Sequence, residues 1–101
     1  MKAKKIGISV KFVNIIPTNK ELLDENVFYI NEDENICFHL CPCGCGDLVT
    51  ITIYRPDNPK KYGWEFYVDP RGLTLYPSIQ LVSVRCKSHY IVKNNEVRLF
   101  I

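Results

Sequence analysis

The chain has 101 residues, of which 47% are apolar and 24% charged, and its formal net charge is +2. This length fits a single domain over residues 1–101, and at this size a bound metal helps an all-β chain to fold. The small charge without long like-signed runs gives no signal for nucleic acid. The sequence holds no apolar stretch of the ~20 residues that cross a bilayer. We therefore expect a cytoplasmic protein that does not enter a membrane.

Short segments rich in β-branched and aromatic residues follow one another along the chain, with turn-forming residues between them. The basic start of the chain leads into an alternating segment and not into the apolar block of a signal peptide. Alternation of apolar and polar side chains predicts strands over residues 6–16, 27–30, 36–40, 48–54, 64–68, 73–76, 81–84, 89–92 and 97–100. The fold class is therefore all-β, a small antiparallel sandwich or open barrel with a metal site between loops.

Three connections carry recognisable turn chemistry. Thr18 or Asn19 can cap a short helical turn over residues 20–23. The pair Asn94-Asn95 tolerates positive φ and predicts a tight hairpin. Pro77-Ser78 is predicted to end the strand 73–76, and a strand-ending turn is favoured there over a hydroxyl that is presented to a substrate.

Residues 41–46, Cys-Pro-Cys-Gly-Cys-Gly, place three thiols within five positions, and Cys86-Lys87-Ser88-His89 adds two donors forty residues later. In a cytoplasmic protein such a set favours a metal over disulfides, and thiols one residue apart cannot pair without strain. Structural zinc takes four tetrahedral thiolate or imidazole ligands, and glycine-rich turns aim backbone N–H groups at the sulfurs. The sequence therefore predicts a closed zinc site.

Five donors compete for the four places of that site. The pair from the second cluster comes first, the two glycine-flanked thiols next and the first thiol of the run close behind, which gives the candidate set Cys41, Cys43, Cys45, Cys86 and His89. Cys37 and His39, on the strand before the cluster, are predicted to be buried side chains and not ligands.

An iron–sulfur cluster is the alternative cofactor. Cys86-x-x-His89 resembles the second ligand box of Rieske domains, which hold a [2Fe–2S] cluster with two cysteines and two histidines. The likeness of the ligand clusters to known metal sites implies a Rieske-like or zinc-ribbon-like form of the all-β fold. The first box departs from that pattern, because it has Cys-x-Cys where Rieske proteins have Cys-x-His. The resulting three-cysteine, one-histidine set suits zinc and is also found around [2Fe–2S] clusters of the CDGSH type, whose ligand spacing differs.

Residues 39–46, Trp64, the segment 75–79 and residues 86–91 together resemble a family of small bacterial and phage proteins described only as metal-binding. The resemblance covers nearly the whole chain. Some of those proteins lie in gene neighbourhoods with bacterial ubiquitin-like modifiers and their enzymes, which implies an accessory role in such a pathway. The family tends to have Gly where this chain has Gln80, so the turn that follows can differ here.

These observations favour a non-enzymatic, zinc-stabilised domain that binds another protein, within a ubiquitin-like modification system. A [2Fe–2S] protein for electron transfer or redox sensing is the second hypothesis. A zinc hydrolase, with Asp47 as the base for a metal-bound water, comes last because the surplus of thiols leaves no open coordination place.

Overall fold

Nine strands form one sheet in the computed structural model, which describes residues 3–81 and 87–100. In chain order the strands are β1 (Ala3–Gly7), β2 (Ser9–Phe12), β3 (Val27–Asn31), β4 (Ile36–Leu40), β5 (Leu48–Tyr54), β6 (Trp64–Asp69), β7 (Gly72–Gln80), β8 (His89–Lys93) and β9 (Glu96–Phe100). One 3-10 turn, Lys20–Leu22, lies between β2 and β3.

Side-chain alternation explains which face of each strand is buried. In β5, Val49, Ile51 and Ile53 are buried, whereas Thr50 between them is exposed. Successive side chains of a strand point to opposite faces, so this period of two places every second residue in the core. The buried apolar residues of the other strands join the same core, and they include Phe28, Ile30, Cys37, Phe66, Leu73, Leu75, Ile79, Tyr90, Val92, Val97 and Leu99.

The strand order is β1-β9-β8-β7-β6-β5-β4-β3-β2, so the two edge strands are neighbours in sequence. Ile8, between them, donates its N–H to Asn95 O at 2.9 Å, and Ser9 N–H donates to Asn26 O at 2.9 Å. The short connection between β1 and β2 thus spans both edges of the sheet. As a result the sheet curves into a nearly closed barrel.

The all-β, barrel-like prediction is confirmed, and the strands that the sequence indicates at 27–30, 36–40 and 48–54 agree with the structure to within one residue. Most pairings are antiparallel, but β2 with β3 and β5 with β6 are parallel, which gives a mixed sheet. The segment 6–16, expected as one strand, is divided at Ile8 between two strands and ends at Phe12.

The prediction that Pro77-Ser78 ends a strand is wrong, because β7 continues through both residues to Gln80. Proline lacks an N–H, but a strand can pass through it where the ladder is irregular, and here the register of β7 against β8 shifts between Leu75 and Ile79. Of the expected strand 81–84, Leu81 lies outside any strand and residues 82–84 are outside the described residues.

Both predicted turns that carry caps or positive φ are confirmed. The side chain of Asn19 accepts a hydrogen bond from Glu21 N–H at 2.9 Å and so caps the 3-10 turn. Asn94 and Asn95 have φ of 51° and 60° and join β8 to β9. Among the described residues, no helix is long and apolar enough to cross a membrane.

Candidate functional site

The thiol-rich turn connects β4 to β5. Cys41 N–H donates to Asp47 O at 2.8 Å, which closes the loop, and Gly44 N–H donates to Cys41 O at 3.1 Å inside it. Gly44 and Gly46 have φ of +89° and +84°, a conformation that residues with a Cβ rarely adopt. The two glycines therefore let the chain double back on itself within six residues.

This turn brings its three sulfurs together. The Sγ atoms of Cys41, Cys43 and Cys45 all lie within 4.8 Å of one another, and the first two are 3.4 Å apart. In a tetrahedral zinc site with Zn–S bonds of about 2.3 Å, two sulfurs are separated by about 3.8 Å. Cys41 is buried while the other two are exposed. The donor set and its spacing fit a thiolate-binding metal ion.

The second half of the predicted metal site is only partly described. Cys86 lies outside the described residues. Two residues later in the sequence, Ser88 is buried, and its Oγ lies 3.5 Å from Cys41 Sγ. Within residues 3–81 and 87–100, the group of mutually close donors consists of the three turn cysteines and does not include His89. The start of β8 therefore packs against the thiol turn.

His89 contacts a serine hydroxyl on the neighbouring strand. Its Nε2 lies 3.0 Å from Ser78 Oγ, and its ring packs against Phe100 with 5.1 Å between centroids. His89 pairs with Gln80 across the ladder, so Ser78 occupies the diagonal position on the same face of the sheet. Both side chains are half-buried and lie on the outer face, opposite the buried Ile79.

The position of Ser78 follows from the irregular stretch of β7. Ser78 lies inside the register shift between Leu75 and Ile79, and such bulges re-aim a side chain relative to a regular ladder. Trp64 Nε1–H donates to Ser78 O at 3.2 Å and fixes the backbone there. The hydroxyl thus faces an imidazole at hydrogen-bonding distance, which is the geometry of a nucleophile and its general base.

A second histidine, His39, is buried in the core. His39 on β4 is fully buried, stacks on Phe28 with 3.8 Å between ring centroids, and its Nε2 lies 2.6 Å from the Tyr90 hydroxyl. Burial lowers the pKa of His39 to about 3, because the low-dielectric interior disfavours the imidazolium. Its Nδ1 has no partner in the described structure. The predicted burial is confirmed, although only one ring nitrogen is hydrogen-bonded.

The other predicted non-ligand, Cys37, belongs to the core. It is fully buried, and desolvation raises the pKa of its thiol to about 12, so the thiol stays protonated. A thiolate is the form that binds metals and attacks electrophiles. Cys37 is therefore an inert core residue, as predicted.

Sequence reasoning missed Ser78 as a functional candidate. The sequence carries part of the signal, because a serine follows proline near the end of a predicted strand, but this pattern favours a turn over a functional hydroxyl. What brings Ser78 to His89 is the pairing of β7 with β8 together with its register shift, and an amino-acid pattern does not report either.

Two comparisons with known proteins, one against curated sequences and one against solved structures, gave no match. A scan against family models did give a match, and it extends over residues 12–100, which is most of the chain. It supports the predicted association with a ubiquitin-like pathway and gives no support to a Rieske-like relationship. The chain belongs to the family described as bacterial ubiquitination-like system serine protease, BubE.

Proposed function

We propose that this chain is a serine protease that cleaves an amide bond in a protein of a bacterial ubiquitination-like system. The observation that carries the proposal is the 3.0 Å contact between Ser78 Oγ and His89 Nε2, in a chain whose family is described as serine proteases. The sequence alone favours a non-enzymatic interaction domain. The serine–histidine pair is the reason to propose catalysis instead.

The pair supplies the two groups that acyl transfer needs. Ser78 Oγ attacks the substrate carbonyl carbon while its proton moves to His89 Nε2. The C–N bond then breaks, and the imidazolium returns that proton to the leaving amine. A water molecule, deprotonated by the same nitrogen, hydrolyses the ester that remains on Ser78. The products are a free amine and a carboxylic acid, and both side chains regain their starting states.

The proposal assigns two catalytic residues and not three. Serine hydrolases often orient the base with a carboxylate on its second ring nitrogen. Within the described residues, the side-chain hydrogen bond of His89 goes to Ser78, and the tilted Phe100 ring packs against the imidazole. Ring packing and the start of β8 therefore orient this base.

Zinc binding by the thiol turn is the second part of the proposal. The sulfurs of Cys41, Cys43 and Cys45 support it by their spacing. If His89 acts as the base, the four thiols of the predicted set remain for the metal, with Cys86 as the fourth ligand. The metal then has a structural role: it holds the turn whose Cys41 contacts Ser88, the residue before the base.

The nucleophile can be tested with a fluorophosphonate probe, which forms a stable ester with an activated serine. We expect stoichiometric labelling that peptide mapping assigns to Ser78, and none in Ser78→Ala. Ser9→Ala, at an exposed serine outside the site, serves as the matched control and should label like the unchanged chain. Labelling of Ser88 in place of Ser78, or no labelling of a folded chain, would overturn the assignment.

The metal is tested separately by elemental analysis and an absorption spectrum of anaerobically purified protein. We expect one zinc ion per chain and no visible absorption. Iron with acid-labile sulfide would replace zinc with the [2Fe–2S] alternative, which the comparisons do not support.

A further inference from the structure

The sheet has a gap beside Ser78. Strand β6 begins at Trp64, which pairs with Ile53 of β5, so the first five residues of β5 have no strand partner on that side among the described strands. Strand β7 continues to Gln80 on the far side, beyond the point where β6 begins. Beyond Trp64, no described strand lies between β5 and β7.

Gly63 explains why β6 does not fill this position. Its φ is +92°, and a Cβ at this residue would lie 2.1 Å from Thr52 O, so the chain enters the sheet only by passing close to that carbonyl. The preceding Tyr62 is 77% exposed. The chain therefore joins the ladder at Trp64, and none of the described strands pairs with Thr50 on this side of β5.

Backbone groups of β5 point into the gap. Cys41 N–H donates to Asp47 O, and Ile53 N–H donates to Asn35 O, so residues 47 and 53 face β4. Along an antiparallel strand, the backbone N–H and C=O groups of successive residues point alternately toward one neighbouring strand and the other. Those of residues 49 and 51 therefore also point toward β4, whereas those of Leu48 and Thr50 point away from it. No partner for the backbone of Thr50 occurs within the described residues.

Backbone groups of β7 point into the same gap from the other side. Leu81 N–H donates to Ser88 O at 2.8 Å, so residues 81 and 79 face β8 and residues 80 and 78 face the gap. The hydrogen bond from Trp64 Nε1–H to Ser78 O confirms that direction. The Ser78 carbonyl is thus bonded to Trp64, and on the β7 side the backbone of Gln80 lies toward the gap, opposite the Leu48 and Thr50 groups of β5.

The groove over the gap has a volume of about 500 Å³, and its lining includes Thr50, Tyr62, Gly63 and Gln80. All the described residues that line it are uncharged. Residues 49–52 of β5 line it, a length of about 13 Å at the rise of a β-strand. This length matches about four residues of extended polypeptide.

We infer that an extended segment of the protein substrate, with uncharged side chains, binds in this gap as an added strand between β5 and β7. The inference rests on the proposed function, because it places the scissile carbonyl beside the strand that carries Ser78. Backbone pairing supplies the affinity, as in other complexes in which a peptide completes a sheet. The uncharged walls exclude segments rich in Asp or Lys.

The test uses the full chain and a pool of random hexapeptides made from Gly, Ala, Ser, Thr, Val and Leu, acetylated and amidated at their ends. In the nitrogen-15-labelled Ser78→Ala variant, adding the pool should shift the backbone amide signals of Leu48, Thr50 and Gln80. Thr50→Pro removes an N–H that faces the gap and breaks no bond to β4. It should weaken binding and pool cleavage at least tenfold, while Lys11→Ala, at an exposed residue of β2 outside the gap, should leave both unchanged.

A second measurement does not depend on any change in the protein. The same pool with N-methylated backbones lacks the donors of an added strand, so it should neither shift those signals nor be cleaved. Equal binding of the N-methylated pool would overturn the inference, as would unchanged cleavage by folded Thr50→Pro. Amide shifts at Thr50 that depend on protein concentration alone would mean that a second copy of the chain fills the gap, which also overturns it.

The two proposals can fail separately. Fluorophosphonate is small and does not need the gap, so Thr50→Pro should label at Ser78 as fast as the unchanged chain. If Thr50→Pro labels normally and also cleaves peptides at the unchanged rate, the added-strand inference is refuted and the protease proposal stands. If peptides shift the Thr50 signal in a chain that the probe never labels, the strand site stands and the protease proposal is refuted.

Discussion

The thiol turn and the serine–histidine pair differ in how the chain assembles them. The turn takes its three donors from five consecutive positions, and two glycines with positive φ bring the sulfurs together. The pair takes one residue from each of two strands, and only their register places Ser78 opposite His89. A site built from one short segment can be recognised in the sequence, whereas a site built by strand pairing appears only when the sheet is known.

The two regions also touch. Cys41 Sγ contacts Ser88 Oγ, and His39 Nε2 contacts the Tyr90 hydroxyl, so β4 meets β8 on either side of His89 in sequence. Substitutions should therefore show whether the regions have separate roles, one in stability and one in chemistry, or form a single metal site.

The largest effect is expected from His89→Gln. Loss of the general base should slow fluorophosphonate labelling and peptide cleavage about 10³-fold, or about 4 kcal/mol in activation free energy. Metal content, measured by elemental analysis, should not change, and the melting temperature should stay within about 2 °C. Loss of the metal together with the fold would instead make His89 a ligand, and the two regions would then be one site.

Cys43→Ser should have the next largest effect, on stability. The thiol is exposed, so little apolar burial is lost, and the change in stability reports the metal. We expect loss of zinc and a decrease of about 3 kcal/mol in unfolding free energy, or roughly 15 °C in melting temperature. A chelator should lower the melting temperature of the unchanged protein to that of the variant, and it should not change the melting temperature of the variant. A variant that keeps the full melting temperature would contradict a structural metal.

Tyr90→Phe tests the contact between the regions. The variant keeps the ring in the core but removes the hydroxyl at His39 Nε2, which leaves a buried polar nitrogen without this partner. The expected cost is about 1–3 kcal/mol of unfolding free energy in a denaturant titration, at unchanged zinc content. His39→Phe should likewise leave one zinc ion per chain. Loss of metal in that variant would make His39 a ligand, contrary to its burial.

Ser88→Ala should have the smallest effect. The substitution removes the long contact of 3.5 Å to Cys41 Sγ, and the loss of that contact should cost less than about 1 kcal/mol. Labelling at Ser78 should keep its rate, which denaturant titration and probe kinetics would establish together. A large loss of labelling here would show that the thiol turn positions His89 through this hydroxyl.

The sequence predicted much of this structure because its signals are local. The alternation in β5, the cap at Asn19 and the paired asparagines before β9 each act within a few residues, and all are confirmed. The parallel pairing of β5 with β6 and the passage of β7 through Pro77 are different. They depend on which strands become neighbours, and that is decided by packing across the whole sheet.

One pairing has a consequence for how the chain folds. β1 pairs with β9 over the register from Ala3 with Phe100 to Gly7 with Glu96, so the partners are about ninety residues apart in sequence. Contacts of such high sequence separation form slowly, because the entropy cost of closing a long loop comes before the contacts can stabilise the chain. During synthesis, the residues of β1 emerge first and must wait for those of β9. We therefore expect closure of the barrel to be a late step in the folding of this chain.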